Sequence, residues 1–235
     1  MPDARIALHF GGDVELLVSV ILSAQCTDAR VNLATPALFA RFPDAAAYAR
    51  AEPEELWPYI RSLGLFRTKA RSIAAAMRAV AGVHGGRVPR TRADLEALPG
   101  VGRKTAGVVL LHLGAGHAFP VDTHVGRVAR RLGFTRHQHP DRVEQDLMAL
   151  LPPERWGPAH QLLVWHGRRT CRARRPACER CPLEDICPRL GVGKASAARR
   201  GGKRPTGPSR ATAPAGPRPG SRWRARPSAS SSGGG

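Results

Sequence analysis

Four cysteines that lie close together in the sequence could jointly bind a metal centre. They are spaced C-x6-C-x2-C-x5-C within 17 residues, at Cys171, Cys178, Cys181 and Cys187. No apolar signal segment opens the chain, so we expect a reducing compartment in which the thiols stay unpaired. Structural zinc usually takes two C-x2-C pairs on separate turns, whereas this loop has one such pair with a further cysteine on each side. The spacing therefore favours an iron–sulfur cluster, with a zinc site and a set of unrelated thiols as alternatives.

A lysine beside a glycine-rich turn is the second candidate for chemistry. Residues 91–113 read TRADLEALPGVGRKTAGVVLLHL, which predicts a helix, a hairpin and a second helix. Gly100 and Gly102 leave the hairpin backbone open, and its amides at the start of the second helix form a site for a phosphate. A nucleotide-binding P-loop is excluded because no strand precedes the turn and Arg103 stands directly before Lys104. The hairpin therefore fits a DNA backbone phosphate, and a simple glycine turn between core helices is the alternative.

The position of Lys104 in the first helical turn suggests a role for its amine. The positive end of the helix dipole and the neighbouring Arg103 both disfavour an ammonium there. A neutral amine is what a nucleophilic lysine requires, whereas an ordinary charged lysine would contact a phosphate. Asp122 follows 18 residues later and starts another helix, so it could cap that helix or assist proton transfer. His124 fits a structural or phosphate-contacting role better than that of a base.

Helical periodicity dominates the elements that must position these residues. Residues 13–24 are apolar almost throughout, as in a central buried helix, and Thr91 with Asp94 resembles a capping box. No segment alternates with period two for long enough to form a strand, so we predict an all-α fold. The remaining predicted helices are 28–40, 53–62, 68–82, 103–113, 123–132, 140–150 and 154–166.

Charge and composition indicate the partner. Residues 191–235 contain no Asp or Glu, ten Lys or Arg, six Pro and ten Gly, which predicts a disordered basic tail. The preceding 190 residues still hold 27 basic against 18 acidic side chains, so a polyanion such as nucleic acid is the expected partner. An arginine-rich composition without a binding role is the alternative. No stretch is long and apolar enough to span a bilayer, so we expect a soluble intracellular protein without a membrane partner.

Taken in order, these motifs resemble those of bacterial endonuclease III, the DNA glycosylase and abasic-site lyase family of base-excision repair. The resemblance rests on LPGVGRKTA, VDTH and the cysteine spacing, and it extends to SAQCTDARVN, GLFRTKA and HGGRVP. It implies a two-lobed helix-hairpin-helix glycosylase fold with a C-terminal 4Fe–4S loop. The implied parts are a truncated N-terminal segment over 1–12, a six-helix barrel over 13–116 with the helix-hairpin-helix at 91–113, a cluster domain over 117–190, and the tail over 191–235.

The resemblance also implies a role for individual residues. Lys104 would attack the sugar carbon that bears the damaged base, and Asp122 would assist base departure and proton transfers. The base would be an oxidised or ring-saturated pyrimidine in double-stranded DNA, removed by a monomer in the bacterial cytoplasm at the nucleoid. The four cysteines would hold a 4Fe–4S cluster, Gln25 would fill the space left by the flipped nucleotide, and Leu65 would wedge the opposite strand. The other implied DNA contacts are Gly100, Val101, Gly102, Arg103, Thr105, His124, Arg172, Arg174 and Arg175.

Two departures from the family pattern stand out. The family carries a helix ahead of the segment that matches residues 1–12, so we expect the native start to lie upstream of Met1. Cys26 replaces a small or hydroxyl residue and is expected to be a buried apolar side chain, not a fifth ligand. The alternative functions are a monofunctional mismatch glycosylase, whose members lack a lysine at the position of Lys104, and a non-catalytic DNA-binding protein with an iron–sulfur or zinc site.

Overall fold

The computed structural model describes residues 1, 3–115 and 118–193, and within these ranges all regular secondary structure is helical. The predicted all-α fold is thereby confirmed. The predicted tail lies outside the described residues from 194 onward. The helices are α1 Asp13–Leu22, α2 Asp28–Arg41, α3 Ala45–Arg50, α4 Pro53–Ile60, α5 Phe66–Val83, α6 Arg92–Glu96, α7 Arg103–Leu113, α8 Thr123–Leu132, α9 Pro140–Leu150 and α10 Pro153–Arg169, with a short 3-10 turn at Cys178–Arg180.

Helix α3 is the one element that the periodicity did not predict. It has six residues, too few to show a repeating apolar face, and it is mostly alanine. Its start is set by Asp44, whose side chain accepts a hydrogen bond of 2.7 Å from the backbone N–H of Ala47. The other helices lie within three residues of their predicted bounds, and α5 starts two residues early because Leu65 serves as its N-cap.

The buried apolar side chains form two clusters. The first runs from Leu8 to Ala118 and surrounds α1, which packs against α2, α5 and α7. Seven of the ten residues of α1 are buried, in agreement with the prediction of a central helix. The second cluster runs from Phe119 to Val164 and is formed by α8, α9 and α10. Since one cluster ends at Ala118 and the other begins at Phe119, the segment between α7 and α8 passes from one core to the other.

The described residues of the N-terminal segment before α1 form no helix, pack against the first cluster and are hydrogen-bonded to α2 and α10. The Asn32 side chain accepts from the His9 N–H at 3.0 Å and donates to the Ala7 carbonyl at 2.7 Å. On the other side, the Trp165 indole N–H donates to the Arg5 carbonyl at 2.8 Å. This segment therefore bridges α2 and α10. None of the described helices is long and apolar enough to cross a membrane.

Candidate active site and cysteine loop

The hairpin between α6 and α7 is held against α5 by a glycine. Gly100 has φ +78°, and a Cβ placed there would lie 2.5 Å from the Cβ of Ser72, so any larger residue is excluded both by its backbone and by space. Gly102 differs from the prediction: its backbone is extended, and it serves as the N-cap of α7. Val101 between them is buried and donates its N–H to the Leu98 carbonyl at 3.0 Å. The first amides of α7, which have no partner within the helix, are thereby fixed next to Lys104.

Lys104 and Asp122 line one cavity, although 18 residues separate them in the sequence. Lys104 lies in the first turn of α7 and is exposed, and Thr105 lines the same cavity. Asp122 is half-buried and caps α8, because its Oδ1 accepts a hydrogen bond of 2.7 Å from the Val125 N–H. The cap occupies one carboxylate oxygen and holds the side chain in place at the cavity lining. The residues predicted to be the nucleophile and the acid–base group are thus brought together by the starts of two helices.

Three polar side chains that the sequence analysis did not single out share this cavity. They are His112 on α7 and His160 and Gln161 on α10. The Gln161 amide nitrogen lies 3.3 Å from His112 Nε2 and 3.4 Å from His160 Nδ1. Burial lowers the pKa of both imidazoles, that of His160 to about 4. Both rings are therefore neutral near pH 7. Nothing in the sequence indicated this network, because single histidines on predicted helices follow no recognisable pattern.

The two residues expected to enter the DNA helix have unusual backbones. Gln25 has φ +52° and Leu65 has φ +58°, a left-handed conformation that costs a non-glycine residue of order 1 kcal/mol or more. Both side chains are exposed, and Leu65 retains 58% of its accessible area. An exposed leucine in a strained turn gains nothing from packing. Strain of this kind concentrates at functional sites, which agrees with the expectation for both positions.

Arg103 has a structural partner in addition to its expected DNA contact. Its guanidinium donates to Glu144 Oε2 at 2.7 Å and contacts Asp141 at 2.8 Å, and hydrogen bonding to Glu144 raises its pKa. Glu144 is buried on α9 and also accepts from Arg92 at 2.7 Å and from the Phe119 N–H at 3.3 Å. Glu144 therefore joins the hairpin to the second apolar cluster. The phosphate contact of Arg103 stays a prediction.

All four cysteines of the C-terminal loop line a second cavity. Two of their sulfurs accept hydrogen bonds at 3.4 Å, Cys181 from the Leu183 N–H and Cys171 from Arg131. Burial raises the pKa of the Cys181 thiol, and the three other cysteines act in the same direction as nearby like charges. Four thiolates around one cavity are stable only if a cation balances their charge, so the donor set suits a metal centre.

A cluster and a single ion make different demands on the four cysteines. Zinc requires all four sulfurs at about 2.3 Å from a common point. A 4Fe–4S cluster instead gives each thiolate its own iron. The four cysteines line one cavity and their spacing in the sequence suits the cluster, with one thiolate for each iron. Within residues 1, 3–115 and 118–193, no group of three His, Cys, Asp or Glu side chains is arranged to hold a single metal ion.

Two arginines of α8 fasten the cysteine loop to the second core. Arg127 donates to the carbonyls of Gly167 at 2.9 Å and Cys171 at 3.1 Å. Arg131 donates to the carbonyls of Arg172 and Ala173, both at 2.8 Å. The loop between the first two cysteines thus has a fixed backbone. Its exposed arginine side chains make no ion pair within the described part of the chain: Arg172, Arg174 and Arg175.

His124 lies where α8 and α10 approach each other most closely. A Cβ on Gly167 would come within 2.9 Å of the His124 Cβ, so α10 needs a glycine at this point. The His124 Nδ1 lies 3.1 Å from Arg127 Nη2. The half-buried imidazole is thereby tied to the arginine that supports the cysteine loop, which agrees with the structural role considered for it. Its contact with a phosphate stays a prediction.

Comparison with known proteins decides the family. Residues 18–153 match the HhH-GPD superfamily of base excision DNA repair proteins, and residues 171–187 match the iron–sulfur binding domain of endonuclease III. Endonuclease III of Synechocystis is 47% identical over 80% of this chain and 86% of the relative. The Escherichia coli enzyme is 42% identical over 79% of this chain and 88% of its own. The chain belongs to the endonuclease III family. It is therefore a DNA glycosylase of base-excision repair, with the abasic-site lyase activity that is typical of this family.

Solved structures agree with this assignment. A trapped endonuclease III–DNA covalent intermediate is 44% identical, with a TM-score of 0.75, and covers 80% of this chain and 89% of its own. A thermostable thymine-DNA glycosylase is 24% identical with a TM-score of 0.72, which shows a shared fold alone. The cofactor prediction is confirmed as well, because endonuclease III carries a 4Fe–4S cluster and the matched iron–sulfur domain begins at Cys171 and ends at Cys187.

The burial of His160 in this chain predicts a loss of stability as the pH falls from 7 to 5. The pKa of its imidazole is about 4 in the folded chain against 6.5 for a free side chain. The unfolded chain therefore binds a proton in this window and the folded chain does not, which lowers the free energy of unfolding by about 2 kcal/mol. Urea titrations at both pH values should show a smaller loss in His160→Leu than in the wild type. An equal loss in both proteins would contradict the assignment.

Proposed function

We propose that this enzyme removes oxidised or ring-saturated pyrimidines from double-stranded DNA and then cuts the strand, with Lys104 as the nucleophile and Asp122 assisting base departure and proton transfer. The observation that carries the proposal is the shared cavity of these two side chains at the starts of α7 and α8. An amine is needed, because water can release a base but only an amine forms the imine that makes strand cleavage easy.

The proposed reaction has two stages. The Lys104 amine forms a bond to the sugar carbon C1′, the bond from C1′ to the base breaks, and the base leaves with a proton. The sugar ring then opens to a protonated imine that joins Lys104 to C1′. This cation acidifies the hydrogen on C2′, and loss of that proton expels the 3′ phosphate by β-elimination. Asp122 is placed to stabilise positive charge on the sugar and to carry protons, and its helix cap keeps the carboxylate oriented.

The DNA backbone would be bound on both sides of this cavity. The amides at the hairpin and the first turn of α7 suit a backbone phosphate, and the unpaired arginines of the cysteine loop suit further phosphates. The 4Fe–4S cluster, held by the four cysteines, would supply a fixed frame for that loop and no step of the reaction. Extrusion of the damaged nucleotide costs a few kcal/mol, and Gln25 and Leu65 would fill and wedge the space it leaves.

The same proposal includes the wider organisation of the protein. The enzyme would act as a monomer on damaged or abasic DNA at the bacterial nucleoid. Its barrel would span 13–116 and its cluster domain 117–190, a division supported by the two apolar clusters that meet at Ala118 and Phe119.

Borohydride trapping with cluster-loaded protein tests the proposal. The substrates are duplexes that contain one thymine glycol or one abasic site. We expect a covalent protein–DNA adduct on both and, without borohydride, cleavage on the 3′ side of the site. Release of the base with no adduct and no cleavage would instead identify a monofunctional glycosylase. Binding of the duplex with neither reaction would contradict the proposed chemistry altogether.

A further inference from the structure

Gln161 is held by hydrogen bonds on one side of the cavity that contains Lys104 and Asp122. Its amide nitrogen contacts His112 Nε2 at 3.3 Å and His160 Nδ1 at 3.4 Å. His160 is 7% exposed and lies edge-on to Phe119 with a ring separation of 6.0 Å. The two imidazoles come from different helices, so rotation of the glutamine side chain would break both contacts. The amide is therefore fixed in one orientation.

The charge state of the two rings determines what Gln161 offers. The amide nitrogen faces both rings, and burial lowers the pKa of both imidazoles, so each neutral ring accepts a hydrogen bond through the nitrogen opposite the amide. The two N–H bonds of the amide are then used by the two rings. Its carbonyl oxygen makes no hydrogen bond within the described residues. Gln161 thus presents an acceptor and no free donor.

The surroundings of this acceptor are suited to a base. Val108 and Val164 line the same cavity and give it apolar walls, as an aromatic or saturated ring requires. Lys104 and Asp122 line this cavity together with Gln161, so the amide faces the same space as the two residues proposed to carry out the reaction. A base attached to a sugar at Lys104 would enter the space in front of Gln161.

We propose that Gln161 is a specificity-determining residue whose carbonyl oxygen accepts a hydrogen bond from the ring N3–H of the extruded base. The inference rests on the proposed function and deepens it by naming a class of substrate. Thymine- and uracil-derived lesions such as thymine glycol carry a proton on N3. Cytosine-derived lesions such as 5-hydroxycytosine carry a lone pair there, which would leave two acceptors facing each other. Undamaged thymine also has the N3–H, so Gln161 selects among lesions, whereas damage itself is selected by the lower cost of extrusion.

Removal of the acceptor should affect base release and spare the lyase step. In Gln161→Leu we expect single-turnover release of thymine glycol to slow by about tenfold to a hundredfold, the range for one lost hydrogen bond in a desolvated site. Cleavage at a preformed abasic site should fall by less than about threefold, because an abasic site has no base that could donate a hydrogen bond to Gln161. The wild-type preference for thymine glycol over 5-hydroxycytosine should shrink in the variant.

Matched variants separate this role from a structural one. Gln145→Leu makes the same substitution on the surface of α9, where the exposed Gln145 accepts a hydrogen bond from Arg142, and should change neither activity. Gln161→Met keeps the length of the side chain without the acceptor and should reproduce Gln161→Leu, which covers the case that leucine prevents folding.

Two results would refute the inference about Gln161, and a third would refute the proposed function instead. Unchanged release of thymine glycol by both Gln161 variants would refute the inference. An equal fall in base release and abasic-site cleavage would show a structural role and refute it as well. A wild-type enzyme that forms no adduct at an abasic site would instead refute the proposed function, whatever the Gln161 variants do.

Discussion

Lys104→Ala is expected to abolish both the borohydride-trapped adduct and strand cleavage at an abasic site, by more than about a thousandfold. The alanine removes the only lysine amine in the cavity lining. Without an amine no imine can form, so the hydrogen on C2′ stays far less acidic than in the protonated imine and β-elimination is slow. The measurement is a gel assay of adduct and cleaved strand with cluster-loaded protein. Since Lys104 is exposed in the first turn of α7, its truncation should leave the fold and the cluster absorbance unchanged.

Lys104→Arg is the matched control for the charge. An arginine keeps a cation beside the hairpin amides and can contact a phosphate, but its guanidinium is not a nucleophile. We expect Lys104→Arg to bind abasic duplex about as well as the wild type and to form no adduct. If Lys104→Arg cleaved the strand at the wild-type rate, the lysine would be a phosphate contact and the nucleophile would have to be sought elsewhere.

The second large effect is expected in Cys181→Ser, which should lose the iron–sulfur cluster and with it the order of the cysteine loop. Serine is a poor ligand for iron, and Cys181 lies in the cavity with the three other thiols. Metal binding to such a site contributes directly to folding, so we expect the thermal midpoint to fall by about 10 °C or more. Iron analysis, visible absorbance and a thermal melt measure the three consequences.

In Cys181→Ser, weaker binding of DNA can be distinguished from a defect in the reaction itself. Because the cluster is proposed to fix the arginine loop, duplex affinity should fall most at low salt, where phosphate contacts contribute most. Cys26→Ser is the control, since Cys26 packs against the first apolar cluster and lies outside the loop. It should keep its iron and its activity. A cluster-free Cys181→Ser protein with wild-type repair activity would be incompatible with the scaffold role.

The local features of this protein were predictable from its residues. The spacing of the four cysteines indicated a metal site and favoured a cluster, because ligands within 17 residues need little tertiary structure to converge. The Thr91 cap at the start of α6 and the Asp122 cap at the start of α8 were also predictable, since a cap acts within one helical turn. Helix α3 was not predicted, because six residues are too few to show a periodic apolar pattern.

The tertiary structure decided what surrounds these local features. His112, Gln161 and Glu144 occur on separate helices, and nothing in their sequence neighbourhoods indicates that they meet the hairpin or the cavity. The neutrality of the histidines depends on burial, which exists only once α7 and α10 pack together. The need for glycine at position 100 likewise combines a local turn with the distant Ser72. The sequence by itself determined the kind of chemistry and its local motifs, because these depend on near neighbours. Only packing between distant segments decided the shape of the site and the charge state of its histidines.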